Sequence, residues 1–266
     1  MQPPVPDETR TPLPLRRRPG YRAGLRPHAS RATGFPCSAA EPPCTRACRQ
    51  ARFRLLSPAL RGQRLRGLYV IIDPAACSDR DPLETAKQAL EGGASLIQLR
   101  DKTREKGLQL PLAESLAALC RKAGVPFIVN DHVDLALAIA ADGVHVGQKD
   151  LPVAVVRRLV GPEMIIGAST NNPEEARQAE ADGADYASVG RLYDTASKSD
   201  TRPATTDTIR AVKTAVSLPV CAIGGINESN IDAVIAAGAD MVAVISAVCM
   251  APNPGEAATR LAAKFS

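Results

Sequence analysis

From Gly67 onward the chain alternates short runs rich in Val, Ile and Leu with alanine-rich stretches whose apolar positions recur at helical spacing. The short runs are Gly67 to Asp73, Ser95 to Arg100, Pro126 to Asn130, Gly143 to Gly147, Met164 to Ser169, Tyr186 to Gly190, Pro219 to Gly225 and Met241 to Ser246. Strand-like runs separated by helical stretches are the pattern of a parallel sheet. Helices are predicted from Asp81-Pro82, where proline suits a first turn, from Pro173-Glu174-Glu175, from Glu228, and over Leu112 to Ala123. Three helices close on one phrase: Gly92-Gly93-Ala94-Ser95, Gly183-Ala184-Asp185 and Gly238-Ala239-Asp240. Glycine there takes the left-handed conformation that ends a helix before the next strand.

Eight such units in the last 200 of 266 residues predict an α/β fold, a compact (β/α)8 TIM barrel over residues 67–266. An open doubly wound sheet is the competing architecture. It would carry a GxGxxG or GxxxxGK[ST] turn early in the chain, and neither occurs.

Charge separates residues 1–66 from this body. They hold 14 Arg, no Lys and three acids, a net +11, whereas the remainder holds 19 basic and 25 acidic groups, a net −6. The overall +5 is therefore a property of the first segment. It also carries 11 of the 22 prolines, so the expectation there is a disordered basic tail. Its arginine richness resembles a transit peptide, but only Ser30, Ser38 and Ser57 supply serine and no amphipathic period is present; a solvated tail is the reading preferred. Interleaved aromatics are lacking, so no nucleic-acid partner is expected. Cys37, Cys44 and Cys48 with His28 match no zinc spacing, and Cys77, Cys120, Cys221 and Cys249 form no paired framework. The uncharged run Met241 to Pro252 is too short to span a bilayer, and a reduced, cytoplasmic body is expected.

The polar residues that interrupt the apolar runs all fall at carboxyl ends of predicted strands, the face on which such barrels do chemistry. Gln98 and Arg100, two apart on one strand, point to the same side. With Lys102 and Lys198 they offer amide, guanidinium and ammonium donors suited to an oligophosphate. Asn130-Asp131 and Gly147-Gln148-Lys149-Asp150 put two carboxylates on neighbouring loops, the kind of site that holds Mg2+ together with substrate phosphate. His132 and His145 are read as a helix-start and an interior or rim residue, Asp134 and Asp142 as helix-terminal charges. Gly224-Gly225 and Ser246-Ala247 end the seventh and eighth strands, where barrels commonly bind a phosphate monoester.

Six motifs occur in order: Gln98-Leu99-Arg100-Asp101-Lys102, Val129-Asn130-Asp131, Gly143 to Asp150, Ile166-Gly167-Ala168-Ser169, Ala222-Ile223-Gly224-Gly225-Ile226 and Val244-Ile245-Ser246-Ala247. By these the body resembles the thiamine-phosphate synthase family, small TIM barrels that join a pyrimidine diphosphate to a thiazole phosphate. The resemblance implies that Arg100, Lys102 and Lys198 act on the diphosphate, that Gln98 and Asn130 contact the same substrate, and that Asp131 and Asp150 hold Mg2+. It further implies that Ser169, Thr195, Ser197, Gly224, Gly225, Ile245 and Ser246 line the substrate pockets.

One loop departs from the family's pattern. Where the family reads close to Phe-Pro-Thr-x-Thr-Lys, this chain has Tyr193-Asp194-Thr195-Ala196-Ser197-Lys198. Asp194 would oppose a diphosphate by like charge unless it points to solvent or pairs with Arg191. The chemistry implied is departure of diphosphate followed by attack of the thiazole nitrogen, a magnesium-assisted transfer in thiamine biosynthesis. The rivals are a thiazole tautomerase on the same barrel and a non-catalytic barrel that binds thiamine precursors. Small-molecule substrates are the expected partners, with homo-oligomerisation open and no membrane association.

Overall fold

The computed structural model describes residues 65–195 and 202–265. The predicted tail, apart from Leu65 and Arg66, therefore lies outside the described residues, as do Ser197 and Lys198. Eight parallel strands close into a barrel in sequence order: β1 Gly67–Ile72, β2 Leu96–Leu99, β3 Phe127–Asn130, β4 Gly143–Val146, β5 Ile165–Thr170, β6 Tyr186–Val189, β7 Val220–Ile223 and β8 Met241–Val244. β1 pairs with β2 on one side and with β8 on the other, Tyr69 lying opposite Leu96 and Ala243. Helices on the outside bury alanine-rich faces: Pro82–Glu91 buries Ala86 and Ala89, and Pro254–Ala262 buries Ala257, Ala258 and Leu261. Among the described residues no helix is long and apolar enough to cross a membrane.

The recurrent glycine phrase has two jobs. Gly93, Gly183 and Gly238 sit just beyond a helix end at φ of +94°, +93° and +101°, where a side chain would be strained. The Gly92 before the first of them is a packing requirement: a Cβ there would lie 2.5 Å from the Gly255 carbonyl oxygen. That absence of a side chain lets helix Pro254–Ala262 close on helix Pro82–Glu91.

The polar residue that follows each phrase pins strand register at the amino-terminal end of the barrel. Asp185 accepts from the Ile166 backbone N–H at 2.7 Å, and Asp240 from that of Val220 at 2.8 Å. Asp142 does the same for Phe127 at 2.7 Å, so it opens β4 and is not the helix-terminal charge expected. Asp185 also pairs with Arg157 at 2.6 Å and Asp240 with Lys213. Asp142 has Arg121 only as a more distant charge, and burial pushes its pKa up to about 6. The Ser95 hydroxyl donates to the Leu68 carbonyl at 3.0 Å, a neutral version of the same link.

Two helix starts differ from expectation. The second long helix begins at Lys106 and runs to Ala123 through Pro111. Pro111 stands six residues in, so its missing N–H leaves only one early carbonyl without its helical partner, and the helix need not restart there. Conversely, the helix after β7 starts at Ile231, not Glu228. Asn230 Oδ1 accepts from the Asn227 N–H at 2.9 Å and Asn227 Oδ1 from the Ser229 N–H at 2.9 Å, so side chains hold that stretch as a turn.

Candidate active site

At the carboxyl ends of the strands lies a cavity of about 900 Å³. Eleven of the fourteen residues expected at a site line it: Arg100, Lys102, Asn130, Asp131, Asp150, Ser169, Thr195, Gly224, Gly225, Ile245 and Ser246. Of the other three, Ser197 and Lys198 lie outside the described residues, and Gln98 is placed deeper. Gln98 is 2% exposed, and its amide donates to the Tyr69 hydroxyl rather than into the cavity. Arg100 follows two residues on, past the last residue of β2, and reaches the rim.

One half of the cavity is charged. Arg100 forms an ion pair with Asp73, which also caps the short helix Pro74–Cys77 by accepting from Ala75 N–H at 3.0 Å. Lys102 pairs with Asp131. Asp131 closes β3 in the left-handed region at φ +61°, a conformation costly for a side chain and typical of residues held for function. Its N–H donates to the His145 carbonyl at 2.8 Å, which ties this turn to β4. Asp150 approaches from the next loop, where it also accepts from Gly147 N–H at 2.8 Å. The two carboxyl groups are close enough to shift each other's ionisation. Burial pushes Asp131 upward, but Lys102 and Asp150 more than offset it and hold its carboxyl below the usual range. Burial and the neighbouring Asp131 push Asp150 up. Among the described residues no cluster of three or more His, Cys, Asp or Glu side chains converges. A pair of adjacent carboxylates is a donor set that suits Mg2+, which takes one or two carboxylates and fills its shell with water and phosphate oxygens.

The loop between Arg100 and helix Lys106–Ala123 is rigidified by Asp101, a residue outside the expected set. Its buried carboxylate accepts from Thr103 N–H and hydroxyl, each at 3.0 Å, and from Arg104 N–H at 3.1 Å. Burial pushes its pKa up, yet these donors and the Arg104 guanidinium bring it below the usual range. That turn sets the position from which Lys102 reaches Asp131.

The opposite half is built on small residues, with Arg191 and Arg202 also on its lining. Gly224 and Gly225 have φ of +106° and +64°. A Cβ on Gly224 would lie 2.8 Å from Arg191 Cα, and one on Gly225 would lie 2.6 Å from the Asp194 carbonyl oxygen. The diglycine thus seats the loop that follows β6, whose Leu192 and Tyr193 N–H groups donate to Ile223 and Gly224 carbonyls at 3.1 and 3.0 Å. Ser246 opens the short helix after β8, with Ile245 beside it. The Asp194 side chain is fully exposed and lies 3.6 Å from Arg191 Nη2. Both conditions that remove its opposition to a diphosphate are met.

Beneath this mouth lie two tyrosines that the sequence pattern does not single out, beside His145, which is the interior or rim residue expected. Tyr69 and Tyr186 are 2% and 0% exposed, and His145 is 7% exposed. The Tyr186 ring lies across the barrel over Gly167, where a Cβ would be 2.0 Å from its Cζ. A tyrosine inside a strand run is a signal available in sequence, because a buried phenol needs a hydrogen-bond partner. The partner itself is not legible there.

Comparison with known proteins resolves which barrel this is. The family model for thiamine monophosphate synthase matches residues 68–248. The chain belongs to that family. Within the thiamine monophosphate synthase family it is 49% identical to the thiamine-phosphate synthase of Moorella thermoacetica over 195 residues, 73% of this chain and 93% of the relative. The thiamine-phosphate synthase of Roseiflexus castenholzii is 52% identical over 194 residues, 73% of this chain and 85% of that one. Among solved structures, the thiamine phosphate pyrophosphorylase of Pyrococcus furiosus matches with a TM-score of 0.70 and 39% identity, covering 75% of this chain and 95% of that one. A 3-hexulose-6-phosphate synthase matches with a TM-score of 0.55 at 18% identity, a likeness of fold alone. None of these matches covers the whole of this chain.

Proposed function

We propose that this barrel couples 4-amino-5-hydroxymethyl-2-methylpyrimidine diphosphate to a thiazole phosphate, releasing diphosphate and forming thiamine phosphate. The observation that carries this reading is the division of one mouth into two halves of different build, one of paired charged side chains and one of glycines and a helix-opening serine with Arg191 and Arg202 on the lining. Arg100, Lys102, Asp131 and Asp150 gather on β2 to β4, while Gly224, Gly225 and Ser246 gather on β7 and β8. The first half suits a diphosphate and the second a phosphate monoester, and one cavity holds both.

In the reaction the bond between the methylene carbon and the diphosphate oxygen breaks, and both electrons leave with diphosphate. The ring's amino group stabilises the resulting cation. The thiazole nitrogen then donates its lone pair to form the C–N bond, and no proton need move at that nitrogen. Mg2+ bound to Asp131 and Asp150 would neutralise charge on the leaving group. The chain's own contribution is the Arg100 guanidinium, held by Asp73, and the Lys102 ammonium, held by Asp131 and aimed by the Asp101 turn. Lys198 supplies a further ammonium from the loop after β6. Asn130, Ser169, Thr195, Ser197 and Ile245 bind and orient the two substrates. This is proximity plus preorganised charge, with no acid and base pair required.

We assign the catalytic unit to residues 67–266, residues 1–66 to a separate tail, and the chain to the cytoplasm, with the two small molecules as partners. The test supplies both substrates and follows thiamine phosphate and diphosphate. Lys198→Ala should lower kcat strongly, by an amount equivalent to ~2.7–4 kcal/mol, the loss typical of one preorganised charge-stabilising group. Lys198→Arg should recover part of it, since a planar fork does not reproduce a point charge. Isomerisation of a thiazole phosphate without coupled product, or full coupling by the alanine variant, would overturn the synthase reading.

A further inference from the structure

Beneath the cavity five side chains from five strands form one unbroken line of hydrogen bonds. Gln98 Nε2 on β2 donates to the Tyr69 hydroxyl on β1. The Tyr69 and Tyr186 hydroxyls are 3.1 Å apart, joining β1 to β6. Tyr186 Oη lies 3.0 Å from His145 Nδ1 on β4, and His145 Nε2 lies 2.9 Å from Ser169 Oγ on β5. The rings are held edge to face between Tyr69 and Tyr186, with centroids 6.1 Å apart, and stacked between Tyr186 and His145, 5.6 Å apart. Only the last two members, His145 and Ser169, face the cavity.

The proton order along such a line is set from its dry end. An amide nitrogen has protons and no acceptor lone pair, so Gln98 Nε2 can only donate. Tyr69 accepts that proton's bond and passes its own to Tyr186, which passes its own to His145 Nδ1. Burial pushes both phenols above their ordinary range, so each keeps its single proton. With Nδ1 accepting, a neutral imidazole carries its proton on Nε2 and donates it to Ser169 Oγ. The serine's own proton is then left to point elsewhere.

We propose that the line Gln98–Tyr69–Tyr186–His145 is a positioning relay that fixes His145 as its Nε2–H tautomer and makes Ser169 a hydrogen-bond donor to a lone pair of the ligand bound above it. Gln98 acts here at a distance, through three other side chains, and not by touching the ligand. An amide turned the other way would put Oε1 on Tyr69 and reverse every bond, leaving Ser169 an acceptor. The relay thereby lets a buried residue decide whether a ligand atom offering a lone pair or one offering a proton is accepted. The proton order follows from the Gln98 amide presenting Nε2 to Tyr69; its consequence for the pyrimidine substrate rests on the function proposed above.

The decisive measurement is 15N NMR of histidine-labelled wild-type protein without ligand. The His145 signals are identified by their loss in His145→Gln, since His28 and His132 are the other histidines. The expectation is a pyrrole-type Nε2 and a pyridine-type Nδ1. Tyr186→Phe, which keeps the ring and removes the link, should convert this to a mixture of tautomers. In the coupling assay it should raise KM for the pyrimidine diphosphate on the order of tenfold, the effect of one net hydrogen bond, with a smaller change in kcat. An Nδ1–H tautomer in the wild type, or an unchanged tautomer in a folded Tyr186→Phe, overturns the relay. Because the wild-type spectrum needs neither a variant nor turnover, it tests the relay even if the synthase reading fails.

Discussion

Gly167→Ala tests whether the interior of the barrel is as tightly determined as its contacts indicate. A Cβ at this position would stand 2.0 Å from Cζ, 2.2 Å from the hydroxyl oxygen and 2.5 Å from Cε1 of Tyr186. The ring has no room to retreat: it is 0% exposed and bounded by Tyr69 and His145. Forcing a methyl group into a filled core costs ~1–3 kcal/mol. A displaced phenol also strands Tyr69 or His145 without its partner, at ~1–3 kcal/mol for each buried group left unsatisfied. The sum is about 4 kcal/mol, or a fall of roughly 8–16 °C in Tm for a body of this size. Thermal melting followed by circular dichroism measures it. Gly107→Ala is the control, because nothing lies within 4 Å of a Cβ there and the residue is helical. It should gain about 0.4–1 kcal/mol by reducing backbone freedom in the unfolded chain. A Gly167→Ala protein melting within about 2 °C of wild type would mean that Tyr186 is not wedged against β5.

Asp131→Asn and Asp150→Asn should each lose Mg2+-dependent coupling while keeping the melting temperature; undiminished turnover at limiting Mg2+ in either variant would refute its assigned role. Asp142→Asn should alter the pH dependence of stability. With a folded pKa of about 6 against ~3.9 unfolded, the folded state holds more protons between these values, so this group's contribution falls as pH rises from about 4 to 6. The loss is on the order of 3 kcal/mol and stays constant above that window. The asparagine variant should therefore gain on wild type across the window and remain ahead at pH 7, still accepting from Phe127. Parallel urea midpoints for the two proteins at pH 4 and 7 would refute the raised pKa.

Much of this was legible in the chain because it is local. Apolar runs and helical spacing locate all eight strands, and the glycine phrases mark helix ends because a left-handed residue is needed at that point in the sequence. Position along a strand likewise puts Arg100, Asp131, Asp150 and Gly225 on one face. Depth is a different quantity. Gln98 and Arg100 point the same way by alternation, yet one is beneath the cavity floor and the other on its rim, a distinction set by where β2 ends against its neighbours. The glycine of Ile166-Gly167-Ala168-Ser169 is explained by Tyr186, nineteen residues away, and Gly224 and Gly225 by a loop that packs over them. Such requirements arise through space, between partners with no fixed offset in sequence. Lys198 is indicated by its place after a strand run and Ser197 by the resemblance, and both remain assignments of the proposed function.

The pins at the amino-terminal end of the barrel bear on how the chain assembles itself. Each ties a strand to the one immediately before it, across only 15, 19, 20 and 27 residues for Asp142, Asp185, Asp240 and Ser95. Short separations cost little loop-closure entropy, so successive units can find their register while the rest of the chain is still unstructured. The seam between β8 and β1 is the exception: Gly67 pairs with Met241, and its N–H donates to the Asp240 carbonyl at 2.9 Å. We therefore expect an open, in-register array to precede ring closure, with closure the slow step. Pulse-labelled hydrogen exchange during refolding should protect the β3, β5 and β7 amides before that of Gly67. Simultaneous protection at the seam and at the pins would show instead that the ring forms as one unit.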